Sequence, residues 1–122
     1  DPAKRPRLFY INWFRKGADG KFLWPGFGDN VRVLRWIVEQ LDGHDHIRTT
    51  PIGLMPTLDG IDVSGLALAA GAMEDLLAVD IAGWQQELAS IAAYYETFGE
   101  RLPAGLSDEL AALMSRLRAN RS

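Results

Sequence analysis

From Asn30 onward, apolar residues recur at helical spacing. Val31, Leu34, Val38 and Leu41, with Ile37 beside them, predict a helix over about residues 30–42. Asp29 or Asn30 stands where a side-chain oxygen can accept the free amide hydrogens of the first turn. Gly43 supplies a left-handed stop. A short helix is predicted over Ala72 to Leu77. Asp80 is a good N-cap for a longer one, whose buried stripe is Ile81, Trp84, Leu88, Ile91, Tyr95 and Phe98, closed by Gly99. Pro103 separates this from a last helix. Ser107 and Glu109-Leu110 begin it, and Leu110, Leu113 and Leu117 line one face.

The pattern before Asn30 is different. Leu8 to Phe14 is rich in strand formers. Gly17-Ala18-Asp19-Gly20 follows, and Asp-Gly is a hairpin turn signal. Lys21 to Trp24 reads as the return strand, and Pro25-Gly26 ends it because proline cannot donate to a ladder. Residues 43–72 look irregular, broken at Thr50-Pro51-Ile52-Gly53 and at Met55-Pro56. The expected class is α+β: an N-terminal β-hairpin feeding a mostly helical tail. There is no internal repeat and no low-complexity tract.

Composition narrows the setting. The 122 residues suffice for one domain with a modest core. The absence of cysteine excludes disulfides and thiolate zinc sites, and it agrees with a reducing, cytoplasmic setting. No apolar run is long enough to cross a bilayer. The first seven residues, Asp1 to Arg7, lack an initiator methionine and the apolar core of a signal peptide, so they read as a linker cut mid-chain. Charge is uneven. Residues 1–36 hold eight Lys/Arg against three Asp/Glu, and the remainder five against thirteen. A positive, aromatic end can attract a polyanion such as a nucleotide or nucleic acid, although Lys4, Arg5 and Arg7 also read as solvated linker charges.

That end carries the candidate chemistry. Between Asn12 and Asn30 lie five aromatics, Trp13, Phe14, Phe22, Trp24 and Phe27, interleaved with glycines and a proline. Aromatic faces beside permissive backbone suit a slot for a flat ring. Phe14, Phe22 and Phe27 can sandwich a purine, at on the order of 1–3 kcal/mol per stacked base. The same three rings could equally pack as core between hairpin and helix. Asn30 offers a donor and an acceptor that match guanine O6 and N1–H, although a flipped amide would match adenine, and it could serve as a plain N-cap. Arg15 and Lys16 read as solvated hairpin charges. His44-Asp45-His46 could begin a metal site, but no third ligand cluster is recognisable near it, so no metal ligand is assigned.

The window N-W-F-R-K, a short turn, then G-K-F-L-W-P-G-F-G-D-N resembles the guanine site of GTP-dependent phosphoenolpyruvate carboxykinases. That family's pattern is N-W-F-R-K, a variable turn, then G-K-F-L-W-P-G-F-G-(E/D)-N. The similarity continues through V-L-R-W-I-V-E and T-P-I-G-L-M-P and more weakly into the tail, covering nearly the whole chain.

The resemblance implies a C-terminal fragment of a larger enzyme that converts oxaloacetate and GTP to phosphoenolpyruvate, CO2 and GDP, in gluconeogenesis or anaplerosis. Residues 1–7 would be linker, and 8–122 the C-terminal part of the GTP-binding lobe. Phe14, Phe22 and Phe27 would surround the guanine, Asn30 would read its edge, and Trp13 would wall the pocket. Trp24 and Pro25 would fix the turn, with Gly26 and Gly28 letting the chain pass close to the ring. GTP or GDP is the implied substrate. Manganese or magnesium would be held by ligands elsewhere in the parent, as would the phosphate loop, since no G-x-x-x-x-G-K-(S/T) occurs here. The fragment alone should be inactive, should bind neither membrane nor nucleic acid, and should self-associate through apolar area its lobe would cover. Two other classes of function stay open: a stand-alone aromatic module docking a peptide, and one binding nucleic acid.

Overall fold

A computed structural model describes residues 4–120. The first three residues of the expected linker and the last two of the expected lobe therefore lie outside the described residues. The elements run α1 (Asn30–Leu41), β1 (Ile47–Thr50), β2 (Gly53–Pro56), α2 (Ala72–Leu77), α3 (Ile81–Glu96) and α4 (Ala104–Ala119). Single 3₁₀ turns cover Phe27–Asp29 and Gly99–Arg101. The chain divides into two compact units. The first runs through Arg48 and resumes at Pro56–Ala78; the second comprises Thr49–Met55 and everything from Val79 onward.

The class is α+β, a two-stranded hairpin with helices, but the strands are not where the aromatic segment suggested. The β1–β2 ladder lies at 47–56, inside the stretch read as irregular. Its turn, Pro51-Ile52, is fixed by proline's preset φ and by Gly53 at φ 128°, and Thr50 Oγ1 donates to the Gly53 carbonyl at 2.6 Å. The segment before Asn30 does reverse direction. It does so through one antiparallel bridge, Lys16 with Phe22, flanked by Leu23 N–H to Arg15 C=O at 3.0 Å and Gly17 N–H to Lys21 C=O at 2.9 Å. Gly20, at φ 78°, makes the turn. Pro25 and the glycines leave too few ladder donors and too little side-chain contact for longer strands.

In the first unit, Trp24, Trp36 and Ile61 form the buried core, and Trp13, Val33, Ile37, Val63, Leu66 and Met73 pack around them. Helix α1 turns one of its two apolar faces to this core. The residues whose spacing marks the helix, Val31, Leu34, Val38 and Leu41, are more than half exposed. The face turned inward carries Val33, Trp36, Ile37 and Gln40. Two apolar stripes compete on this helix. The one bearing tryptophan removes more apolar area from water, and its N–H also reaches the His46 carbonyl at 3.1 Å. The end of α1 follows expectation: His44 N–H bonds Glu39 C=O at 3.0 Å and Gly43 N–H bonds Gln40 C=O at 3.3 Å, with Gly43 at φ 91°. These are the two bonds of a Schellman motif.

In the second unit, α3 packs on α4. Leu88 and Leu117 are its buried apolar residues, Leu117 completely, and Leu110 and Leu113 are half-buried. Asp80 caps α3, its Oδ1 accepting from Gly83 N–H at 2.9 Å. Helix α4 begins at Ala104, three residues before the expected Ser107, because the chain enters the helix directly after Pro103. Proline at a helix entrance has no amide hydrogen to satisfy.

Candidate functional site

Two clusters arise from the aromatic segment, both within the first unit. Phe14 and Phe22 flank the bridge, and their rings meet edge to face, with centroids 6.0 Å apart and planes at 61°. Asn12 Oδ1 accepts from the Phe14 N–H at 3.0 Å, which fixes the backbone leading into this pair. The Lys16 ammonium lies 5.2 Å from the Phe22 ring centre, a cation–π arrangement. Both rings face water: Phe14 is 72% exposed and Phe22 57%. Exposed phenylalanines at a turn make poor core, so the packing alternative does not describe this pair.

Phe27 opens the 3₁₀ turn before α1 and is 93% exposed. It makes no ring pair with Phe14 or Phe22 among the described residues. Gly26, at φ 119° and ψ −160°, sets the corner that carries Phe27 outward. Trp13 is half-buried and packs against the Trp24–Trp36–Ile61 core.

The second cluster joins Trp24 to Asn30. Asn30 is the first residue of α1, and Asp29 before it makes no side-chain capping bond. Asp29 instead accepts from Arg32 Nε at 3.2 Å. The Asn30 amide is turned to the loop, where its Oδ1 accepts from Trp24 Nε1 at 2.9 Å. The expected N-cap is thus made by neither residue, and the turn role given to Trp24 acquires a definite bond. A buried tryptophan N–H needs an acceptor, and that rule was the signal in the sequence that could have found it.

Arg15 differs from expectation as well. It is half-buried rather than a solvated charge, and one guanidinium nitrogen donates to the carbonyls of Leu76 and Ala78 at 3.1 and 2.8 Å. It thereby ties the aromatic turn to carbonyls at and just past the C-terminus of α2, groups that a helix leaves unsatisfied. Arg7, from the expected linker, donates to the Gln40 carbonyl at 3.0 Å.

His44 and His46 line a cleft of about 310 Å³ with Arg32, Arg35, Glu39, Asp59 and Asp62. Its charges largely answer one another. Arg35 Nε meets Glu39 at 2.8 Å, and this hydrogen bond holds the guanidinium pKa above its ordinary value. Ser64 donates to Asp62, from its side chain and its N–H, and holds that carboxyl below the usual range, with Arg32 and Arg35 adding to the effect. Among the described residues, no three His, Cys, Asp or Glu side chains gather closely enough to hold a metal. No helix among them is long and apolar enough to cross a membrane.

The sequence model of the phosphoenolpyruvate carboxykinase C-terminal P-loop domain matches residues 1–116. The chain belongs to this family. Among its relatives are the GTP-dependent phosphoenolpyruvate carboxykinases of Paenarthrobacter aurescens (strain TC1), 48% identical over 117 residues, and of Treponema pallidum (strain Nichols), 47% over 116. The enzyme of the same name from Chlamydia muridarum is 46% identical over 114 residues. These alignments cover 96%, 94% and 93% of the chain but only 19% of each relative. The chain thus spans about a fifth of the length of the carboxykinases it matches. The phosphate loop in the domain's description has no counterpart sequence in these 122 residues.

Proposed function

We propose that this chain is the guanine-base-binding part of an enzyme converting oxaloacetate and GTP to phosphoenolpyruvate, CO2 and GDP. Phe14, Phe22 and Phe27 take the purine faces, Asn30 reads its rim and Trp13 walls the inner side. Residues 8–122 then form the C-terminal part of the GTP-binding lobe, with 1–7 as linker, in a cytoplasmic enzyme. The observation that carries this reading is the exposure of all three phenylalanines on the segment that matches the family.

In the whole enzyme, decarboxylation of oxaloacetate leaves an enolate oxygen that takes the γ-phosphoryl group of GTP. The groups for that step lie outside this chain. Manganese or magnesium would serve that step, and the residues described here do not fit a metal site. The chain contributes position. A base held between aromatic faces places the distant phosphates, and binding energy remote from the reacting atoms lowers the barrier of the chemical step.

Titration of the chain with GTP, ATP, a proline-rich peptide and single-stranded RNA tests the reading. We expect weak but guanine-selective binding that survives removal of the phosphates. Phe14→Ala should weaken guanine binding by about 1–3 kcal/mol, the worth of one stacked base. Equal response to every nucleotide would indicate generic stacking, and preference for peptide or RNA would replace the proposal. The exposed apolar side chains Leu8, Tyr10, Leu34 and Val38 should also make the chain self-associate. A clean monomer in gel filtration would contradict that part.

A further inference from the structure

We propose that Trp24 is a specificity-determining positioning residue, whose indole N–H locks the Asn30 amide so that it reads a 6-oxopurine and turns away a 6-aminopurine. The inference rests on the base-site reading above and adds to it the element that sets its selectivity.

An asparagine amide is ambiguous by itself. Rotated by half a turn it exchanges donor for acceptor, and so serves guanine in one orientation and adenine in the other. A free amide therefore discriminates weakly. Here it is not free. Trp24 is 6% exposed, and its Nε1 lies 2.9 Å from one end of the Asn30 amide. An indole nitrogen donates and never accepts, so the atom it meets must be the amide oxygen. The opposite orientation would set N–H against N–H and leave a buried indole donor unpaired, a loss that isolated polar groups bear poorly. Trp24 is itself held by the Trp36–Ile61 core, so it cannot swing to follow the amide.

The Nδ2 donors and the second lone pair of Oδ1 are then what Asn30 has left to offer. Guanine or hypoxanthine meets the donors with its O6 and offers N1–H to the oxygen. Adenine brings its 6-amino group to the same donors, and the two repel. Selectivity of this kind, set by a polar group of fixed polarity, exceeds what stacking supplies, because every base has an apolar face.

Binding of GDP, IDP and ADP to the chain, followed by NMR, tests this. IDP keeps the 6-oxo edge but lacks the 2-amino group, so it isolates the position in question. The wild-type chain should prefer GDP and IDP over ADP. Trp24→Phe keeps an aromatic ring and removes the N–H. The preference should fall roughly tenfold, the worth of one such bond, with ADP binding unchanged or tighter. A loss of structure would instead weaken all three. Asn30→Asp keeps the acceptor for Trp24 and removes the donors, and it should lose the same preference. A slowly exchanging Trp24 Nε1–H that shifts in Asn30→Ala reports the lock without any ligand. Full preference in Trp24→Phe, or a fast-exchanging indole proton in the wild type, overturns the inference while leaving the base site standing. Failure of the wild type to bind any purine overturns the base-site reading and the inference with it.

Discussion

The aromatic turn and the α3–α4 pair treat their large apolar side chains in opposite ways. In α3 and α4 the apolar stripe is helical in period, and Leu88 and Leu117 sit inside it with almost no exposure. Between Trp13 and Phe27 the tryptophans go inward and the phenylalanines outward, with exposures of 6% at Trp24 and 93% at Phe27. The helical period picks out Leu88 and Leu117 in the first region, although Phe98, expected in the same stripe, is 38% exposed; in the second, hydrophobicity does not tell the inward rings from the outward ones. Burial of a phenylalanine side chain is worth about 1.5–3 kcal/mol, so three left in water need a reason other than folding. The ring binding proposed above would supply such a reason.

The comparison breaks most readily through stability. Trp24→Ala should cost about 3–5 kcal/mol in chemical denaturation, as should other buried aromatic truncations, and Leu117→Ala about 2–5. A small effect at Trp24 would mean that the aromatic turn has no core of its own. Next in size is Arg15→Ala. Its two bonds to carbonyls at the end of α2 involve a charged donor, so about 1.5–3 kcal/mol should be lost, against under about 0.5 for exposed Lys16→Ala. Equal effects at the two positions would return Arg15 to the solvated class.

A smaller effect sharpens the helical side. A Cβ on Gly83 would collide with the Asp80 carboxylate that caps α3. Loss of the cap would cost about 1 kcal/mol and alanine would regain about as much in helix propensity, so Gly83→Ala should be close to neutral. Asp80→Ala should cost about 1 kcal/mol, and adding Gly83→Ala to it should win back about as much, because the cap is already gone. A small effect also belongs to Phe27→Ala, expected within about 0.5 kcal/mol in stability while guanine binding drops. A large loss of stability there would make Phe27 a packing residue after all.

Much of the helical frame was legible. Ala72–Leu77, the Asp80 cap and the Gly43 stop each rest on one local rule that tertiary contacts did not override. Less legible was anything decided by competition. Helix α1 carries two apolar stripes, and only the packing partners of Trp36 chose between them. Strand formers at Leu8–Ile11 suggested a ladder, yet Leu8 and Tyr10 lie more than 90% exposed, while Ile47–Thr50 found a partner across a Pro51-Ile52 turn. The Ile-Arg-Thr-Thr run and its proline–glycine turn were available in the sequence, and lacked weight because they are short.

For the site, residue types and spacing propose members but say nothing of how they are wired. The five residues named for it follow from aromatic spacing and a family resemblance. The structure brings together Phe14 with Phe22 and Trp24 with Asn30, and it leaves Phe27 apart from the other two rings. The Trp24–Asn30 bond spans six residues across a 3₁₀ turn, a geometry that no spacing rule encodes.

Gly26 has one further consequence. Its φ of 119° and ψ of −160° are the mirror image of ordinary extended backbone, and an L-alanine methyl placed there would meet nothing within 4 Å. What bars a side chain is therefore handedness rather than room. A chemically synthesised chain with D-alanine at position 26 should keep the corner, stiffen the pedestal under Phe27 and lose less chain entropy on folding. L-alanine at the same place should strain it.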